Sequence, residues 1–164
     1  MSKSSQNLNE AFAGESQANR KYLAFAKKAE SEGFAQVAKL FRAAAEAETV
    51  HAHNHLRELG GIKGTKENLE TAIGGETHEF QNMYPKMIKE AEEEGNESAK
   101  MSFNYANEVE KIHAALFEKA HKYFSDLEKV DYYVCGVCGN TVENEAPDVC
   151  PICGAKKEMF KRID

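Results

Sequence analysis

A chain of 164 residues carrying 21 Lys and Arg against 27 Asp and Glu has a net charge of −6, which argues against nucleic acid or an anionic membrane surface as its main partner. No apolar run approaches the ~18 residues of a membrane span, and the N-terminal MSKSSQNLNE is too polar for a secretory leader. The four cysteines form two C-x-x-C pairs, a usage that fits metal binding in a reducing compartment, and the cytoplasm is the expected setting.

Four long helices are predicted. The first runs from about Ser4 to Glu32, carries Phe12, Tyr22 and Phe25 at helical spacing and stops at Gly33. The second runs from about Phe34 to Leu59 and stops at Gly60-Gly61. The third starts after Thr65, a residue type suited to an N-cap, and ends at Gly95. The fourth runs from about Glu97 to Glu128, with Phe103, Ala106, Leu116 and Phe117 at helical spacing. The loops after the first and third helices are very short, so the helices they join must be antiparallel neighbours. The expected fold is an all-α antiparallel four-helix bundle over residues 1–131.

The sequence also repeats itself at an offset of 62 residues. Tyr22-LAFAKKAESE-Gly33 matches Tyr84-PKMIKEAEEE-Gly95, and Phe41, Ala44, Glu48 and His51 match Phe103, Ala106, Glu110 and His113. Two duplicated helical hairpins packed with approximate two-fold symmetry are the expected result. Gly14-Glu15 matches Gly75-Glu76 at offset 61 instead, so the third helix holds one extra residue between Glu76 and Tyr84. A residue inserted into a helix is commonly absorbed as a π-bulge. With Pro85 just beyond it, the reading predicts a π-type distortion within about residues 77–85.

Five carboxylates stand where an apolar stripe should be. Glu48 is flanked at helical spacings by Phe41, Ala44, Ala45, His51 and Ala52; Glu110 by Phe103, Ala106, Asn107, His113 and Phe117. Both belong to E-x-x-H pairs, which put carboxylate and imidazole on one helix face. Glu118-Lys-Ala-His121 has the same spacing, but Lys111 and Lys122 share its stripe and mark a solvated face. The first helix adds Glu15 and the third adds Glu76 and Glu79, each near mid-helix. Five carboxylates brought together in a low-dielectric core would repel one another and pay heavy desolvation. No Lys or Arg shares the stripes of Glu48 and Glu110; two ferrous ions would bring four positive charges against five negative. Hard oxygen donors with two imidazoles suit iron or manganese.

Residues 132–164 are too few to bury a core unaided and form a second domain that needs a metal to fold. Cys135-x-x-Cys138 and Cys150-x-x-Cys153, separated by 11 residues, make a tetrathiolate site for one iron or zinc ion.

Glu from each of two helices, Glu-x-x-His from the other two, the extra carboxylate in Glu76-Thr-His-Glu79, and a tail with Cys135-Gly-Val-Cys138-Gly and Cys150-Pro-Ile-Cys153-Gly closely resemble the rubrerythrin family along essentially the whole chain. The resemblance implies a ferritin-like bundle with a rubredoxin-like domain, and Glu15, Glu48, His51, Glu76, Glu79, Glu110 and His113 as ligands of a di-iron centre. It implies that Glu79 and His51 exchange as ligands of one iron when the redox state changes, and that Tyr22 and Tyr84 lie beside the metals. It further implies a peroxidase that reduces hydrogen peroxide to water in oxidative-stress protection. Electrons would pass one at a time through the tetrathiolate iron. No G-x-G-x-x-G fingerprint is present, so NAD(P)H would act through a separate rubredoxin-type reductase.

From Glu110 to the predicted end of the fourth helix is 18 residues, or about 27 Å at about 1.5 Å per residue. A tail leaving that end would sit far from its own di-iron centre. The expectation is therefore a head-to-tail homodimer in which one chain's tetrathiolate site approaches the other's di-iron site, with exchange of helices between chains as an allied arrangement. Two competing readings are a ferroxidase-like iron-handling protein that uses oxygen, and a tail that is a zinc ribbon serving as a binding module.

Overall fold

The computed structural model describes residues 2–164. The chain forms two compact units that divide between Lys63 and Gly64, so each half of the internal repeat has a unit to itself. No described helix is long and apolar enough to cross a membrane.

The first unit is a helical hairpin of α1 (Lys3–Ser31) and α2 (Ala35–Glu58). Ser2 caps α1, its hydroxyl accepting from the Ser5 N–H at 3.1 Å. The turn at Gly33 closes with Phe34 N–H donating to the Ala29 carbonyl at 2.8 Å. Ala38, Ala45 and Ala52, spaced by seven along α2, are buried together with Ala26 and Ala29 of α1. Methyl-sized residues let the two backbones approach closely, and Asn19 bridges them by donating to the Ala45 carbonyl at 2.7 Å and to Thr49 Oγ1 at 2.8 Å. The bulkier apolar residues lie outside this seam. Phe25, Phe34, Val37, Leu40 and Val50 are all exposed, Leu40 by 67%.

The second unit repeats the hairpin and adds the tail. Its first arm is α3 (Thr65–His78), a π-helical segment (Glu79–Met83) and α4 (Tyr84–Glu93); its second arm is α5 (Glu97–Lys122). Thr65 is already helical. Gly64 is the N-cap in place of the expected Thr65, and its N–H donates to the Glu67 carboxylate at 3.4 Å, the return half of a capping box. The π segment falls within the window predicted from the repeat. Tyr84 N–H reaches back five residues to the Glu79 carbonyl, which takes up the inserted residue without breaking the helix.

α5 ends at Lys122, six residues before the predicted Glu128. A turn follows, with Asp126 N–H donating to the Tyr123 carbonyl at 2.8 Å, and the chain doubles back. The tail forms a three-stranded antiparallel sheet in the order β2–β1–β3, from β1 (Tyr132–Cys135), β2 (Thr141–Glu143) and β3 (Phe160–Ile163). Each C-x-x-C knuckle closes on a glycine in the left-handed region, Gly139 at φ 87° and Gly154 at φ 75°, where a side chain would be strained.

The reversal overturns the distance argument made from the sequence. The tail packs on α5 of its own chain. Lys119 Nζ of α5 donates to both Glu143 oxygens at 2.9 and 2.7 Å, and a Cβ placed on Gly139 would lie 3.8 Å from the buried Val109. The helix stops early because Ser125-Asp126 favour a turn, and because the tail gains these contacts only by folding back.

Candidate metal centre

Six of the seven predicted ligands of the helical body fall into two triads, one in each unit. In the first, Glu15 of α1 meets Glu48 and His51 of α2, with ligand atoms all within 4.8 Å of one another. His51 Nδ1 is 2.9 Å from Glu48 Oε2. In the second, Glu76 of α3 meets Glu110 and His113 of α5 within the same limit. His113 Nδ1 is 2.8 Å from Glu110 Oε2 and 3.7 Å from Glu76 Oε2. The E-x-x-H spacing places carboxylate and imidazole one turn apart on α2 and again on α5, and the facing arm of each hairpin supplies the remaining carboxylate.

The electrostatics of the second unit call for a cation. Partial burial, followed by the hydrogen bond and charge of Glu110, pushes the Glu76 carboxyl above its ordinary value. Partial burial and then the charge of Glu76 raise Glu79. Tyr84 is raised by burial and then by Glu110, Glu79 and Glu76. Among the described residues, the ion-pair partner of Glu76 and Glu110 is the His113 imidazole, with no Lys or Arg. A divalent metal would relieve what protonation otherwise must.

Glu79 lies outside the triads. It is the first residue of the π segment, close enough to Glu76 and His113 to feel both charges. Tyr22 packs against Phe25 and Phe41 at ring separations of 6.4 and 6.1 Å, and Tyr84 against Phe103 at 6.4 Å. The equivalence of Phe41 and Phe103 in the repeat therefore reappears as two tyrosine–phenylalanine pairs.

In the tail, Cys135 Sγ is 3.7 Å from Cys153 Sγ and Cys138 Sγ is 3.6 Å from Cys150 Sγ. All four cysteines are free, and each offers a sulfur within 4.8 Å of the others. A tetrahedron with metal–sulfur bonds of about 2.3 Å has edges of about 3.8 Å, so the four sulfurs are spaced for a metal and too far apart for disulfides. Burial works against the Cys150 thiolate, but N–H groups of Cys153 and Ile152 donate to its sulfur and outweigh it, lowering the thiol to about 7. Burial pushes the Cys138 and Cys153 thiols up instead.

Two tail residues that sequence reasoning did not single out touch these sites. Asn140, 1% exposed, donates from Nδ2 to Cys150 Sγ at 3.6 Å. Thr141 Oγ1 lies 3.0 Å from His113 Nε2. A lone Asn-Thr pair after a knuckle carries no pattern, and only the fold-back of the tail gives it meaning.

A cavity of about 450 Å³ opens beside the second triad, lined by Leu69, Glu76, His113, Leu116, Phe117 and Thr141, among others. It joins the imidazole, a carboxylate and the tail hydroxyl to an apolar wall.

Comparison with known proteins places this arrangement. The family model for rubrerythrin matches residues 6–121, and that for the rubrerythrin rubredoxin-like domain matches residues 133–161. The chain is 37% identical to rubrerythrin-2 of Clostridium acetobutylicum, over 94% of this chain and 93% of that protein. It is 33% identical to nigerythrin of Nitratidesulfovibrio vulgaris, over 94% of this chain and 84% of the relative. The solved structure of partially reduced nigerythrin superposes with a TM-score of 0.60 at 31% identity, covering 99% of this chain and 88% of that one. The chain therefore belongs to the rubrerythrin family of oxidoreductases, whose two domains carry a di-iron centre and a tetrathiolate iron.

Proposed function

We propose that the protein is a non-haem di-iron peroxidase that reduces hydrogen peroxide to water, with electrons entering through the tetrathiolate iron. The observation that carries this reading is the seating of the tail on α5. A rubredoxin-like knuckle placed on the helix that supplies Glu110 and His113, with Thr141 on the His113 ring at 3.0 Å, is an electron carrier beside a carboxylate–imidazole site. A ferroxidase has no comparable use for it.

In this reading Glu15, Glu48 and His51, with Glu76, Glu110 and His113, hold the two irons of the body, and Cys135, Cys138, Cys150 and Cys153 hold the third; zinc would fill the same tetrathiolate. The ferrous pair supplies the two electrons that peroxide reduction consumes. Glu79, beside the triad and raised by burial, is suited to hold a proton or to join the ligand set, in exchange with His51. Tyr84, whose phenol burial and the three acids keep protonated, is a proton donor beside the centre; Tyr22 has the equivalent place in the first unit. A separate NAD(P)H-linked, rubredoxin-type reductase is the electron source in this account. The homodimer expected from the sequence belongs to it too, supported now by the large apolar side chains exposed along the first hairpin rather than by the reach of the tail.

The test is stopped-flow oxidation of the fully reduced protein. Oxidation by peroxide at least about tenfold faster than by oxygen is the expected outcome, and the reverse order would replace this reading with the ferroxidase one. Reoxidation that bypasses the tetrathiolate, leaving its visible band bleached while peroxide is consumed, would remove the tail from the electron path.

A further inference from the structure

We infer that Thr141 is a positioning residue that fixes the tautomer of His113, so that the tail of the chain holds the imidazole with Nδ1 free to ligate metal. The inference rests on reading His113 as a metal ligand and goes beyond it by assigning what orients the ring.

Thr141 has a single hydroxyl proton, and its Oγ1 donates to the Gly139 carbonyl at 3.1 Å. A carbonyl can only accept, and that bond leaves the Oγ1 lone pairs free to accept elsewhere. The same Oγ1 lies 3.0 Å from His113 Nε2, and with its proton on the Gly139 carbonyl it accepts there. A metal on Nδ1 requires the neutral ring to carry its proton on Nε2, and Thr141 in this arrangement is placed to accept it. In the neutral ring this leaves the lone pair on Nδ1, which faces Glu110 Oε2 at 2.8 Å and Glu76 Oε2 at 3.7 Å. A lone pair set against two carboxylate oxygens is repulsive unless a cation lies among them. A bound metal removes that repulsion and also answers the crowding of the two acids; without metal the ring can instead donate from Nδ1 to Glu110, with the Thr141 hydroxyl turned to Nε2.

The path is short and rigid at each step. Gly139 sits in the left-handed turn that closes the Cys135–Cys138 knuckle, and Thr141 opens β2, where it pairs with Val134 of β1. Lys119 and Glu143 clamp β2 to α5 two residues further along the strand. The other body imidazole differs. His51 Nδ1 contacts Glu48, and its side chain is 54% exposed.

Hydrogen bonds from a neighbouring group to the far nitrogen of a ligating histidine are commonly worth about 10- to 100-fold in metal affinity. The test compares Thr141→Val, which keeps the shape and removes the hydroxyl, with Thr141→Ser, which restores it. Both are made in the full chain and titrated with Zn²⁺ or Co²⁺ against a competing chelator. Thr141→Val should weaken one of the two body sites by about tenfold while the tetrathiolate site holds its metal unchanged. Thr141→Ser should lie within about threefold of the parent. An equal loss in both variants would assign the effect to packing and overturn the inference, as would no loss in either.

A second readout needs no variant. Two-bond ¹H–¹⁵N correlations in the ¹⁵N-histidine-labelled, zinc-loaded chain should show His113 protonated at Nε2, with that proton slow to exchange. Protonation at Nδ1 overturns the inference. His113→Asn separates this from the underlying reading. If it keeps both body metals, His113 is no ligand; if it loses one while Thr141→Val binds like the parent, the ligand stands and the role of Thr141 falls.

Discussion

Among the described residues Asn140 is the buried polar side chain, and its amide N–H is spent on a sulfur. An N–H donated to a thiolate stabilises the more negative, ferrous form of a tetrathiolate iron more than the ferric form. Replacing Asn140 by Leu, of similar volume, should therefore lower the midpoint potential of the tail iron. A charge-assisted bond differing by about 1 kcal/mol between the two oxidation states corresponds to roughly 40 mV for one electron. Spectroelectrochemical titration of the visible band measures it, and an unchanged or higher potential would refute the role. Glu76 gives a second residue-scale prediction, with its sign set by burial and by Glu110. Its carboxyl is raised above the ordinary 4.5, so in the metal-free chain the protonated form is the one that folding favours. That contribution is complete below pH 4.5 and is lost as pH rises through the elevated folded value. Glu76→Gln, neutral throughout, should melt above the metal-free parent at pH 7 and at the same temperature below pH 4.5. In the metal-loaded chain the order at pH 7 should reverse, because a ligand is gone.

At the scale of elements, the π segment and α5 show how local the legible information is. The segment Glu79–Met83 could be anticipated because one hairpin serves as a ruler for the other, and a one-residue surplus inside a helix has few outlets. Deleting Gln81, which is exposed, should return the segment to α-helical register and raise the melting temperature of the metal-free chain. It should leave Glu76 set to Tyr84 as Glu15 is to Tyr22, but displace Glu79, the first residue of the wide turn, and so reduce peroxide turnover by about tenfold or more. Retained turnover would mean the wide turn has no part in the site. The triads were legible for the same reason as the bulge: a glutamate amid alanine and phenylalanine at helical spacing has no reason to be there without a cation. The end of α5 was not. Helical periodicity continues weakly through Phe124 and Leu127, and what stops the helix is the packing of Glu143 on Lys119 and of Thr141 on His113, across 24 and 28 residues. Asn140 and Thr141 were invisible for that reason. Their role arises from a chain reversal, which no window of neighbouring residues records.

For the whole molecule, the same reversal gives the tail metal a structural part beside the redox part proposed for it. The sheet β2–β1–β3 is 11 residues in three short strands, and its enclosed side chains are largely the cysteines themselves, Cys135 and Cys150 being 2% exposed. A domain of this size gains most of its folding free energy from metal binding. Cys150→Ser should remove both that ligand and the sulfur that Asn140 serves, and the tail should unfold while α1–α5 stay helical. Far-ultraviolet circular dichroism should then change little, whereas the visible iron–thiolate band should vanish and the tail should become open to proteolysis after Lys129 or Lys156. The consequence for the body separates a passive appendage from a working one. If Thr141 orients His113, loss of the tail fold should weaken metal binding at one body site to about the same extent as Thr141→Val, with no ligand of the body altered. Light scattering adds the assembly: a mass of twice the 18.3 kDa chain is expected for the parent and for Cys150→Ser alike, since the apolar side chains credited with association lie on the first hairpin. A variant that dissociates to monomers when the tail unfolds would instead make the tail part of the interface.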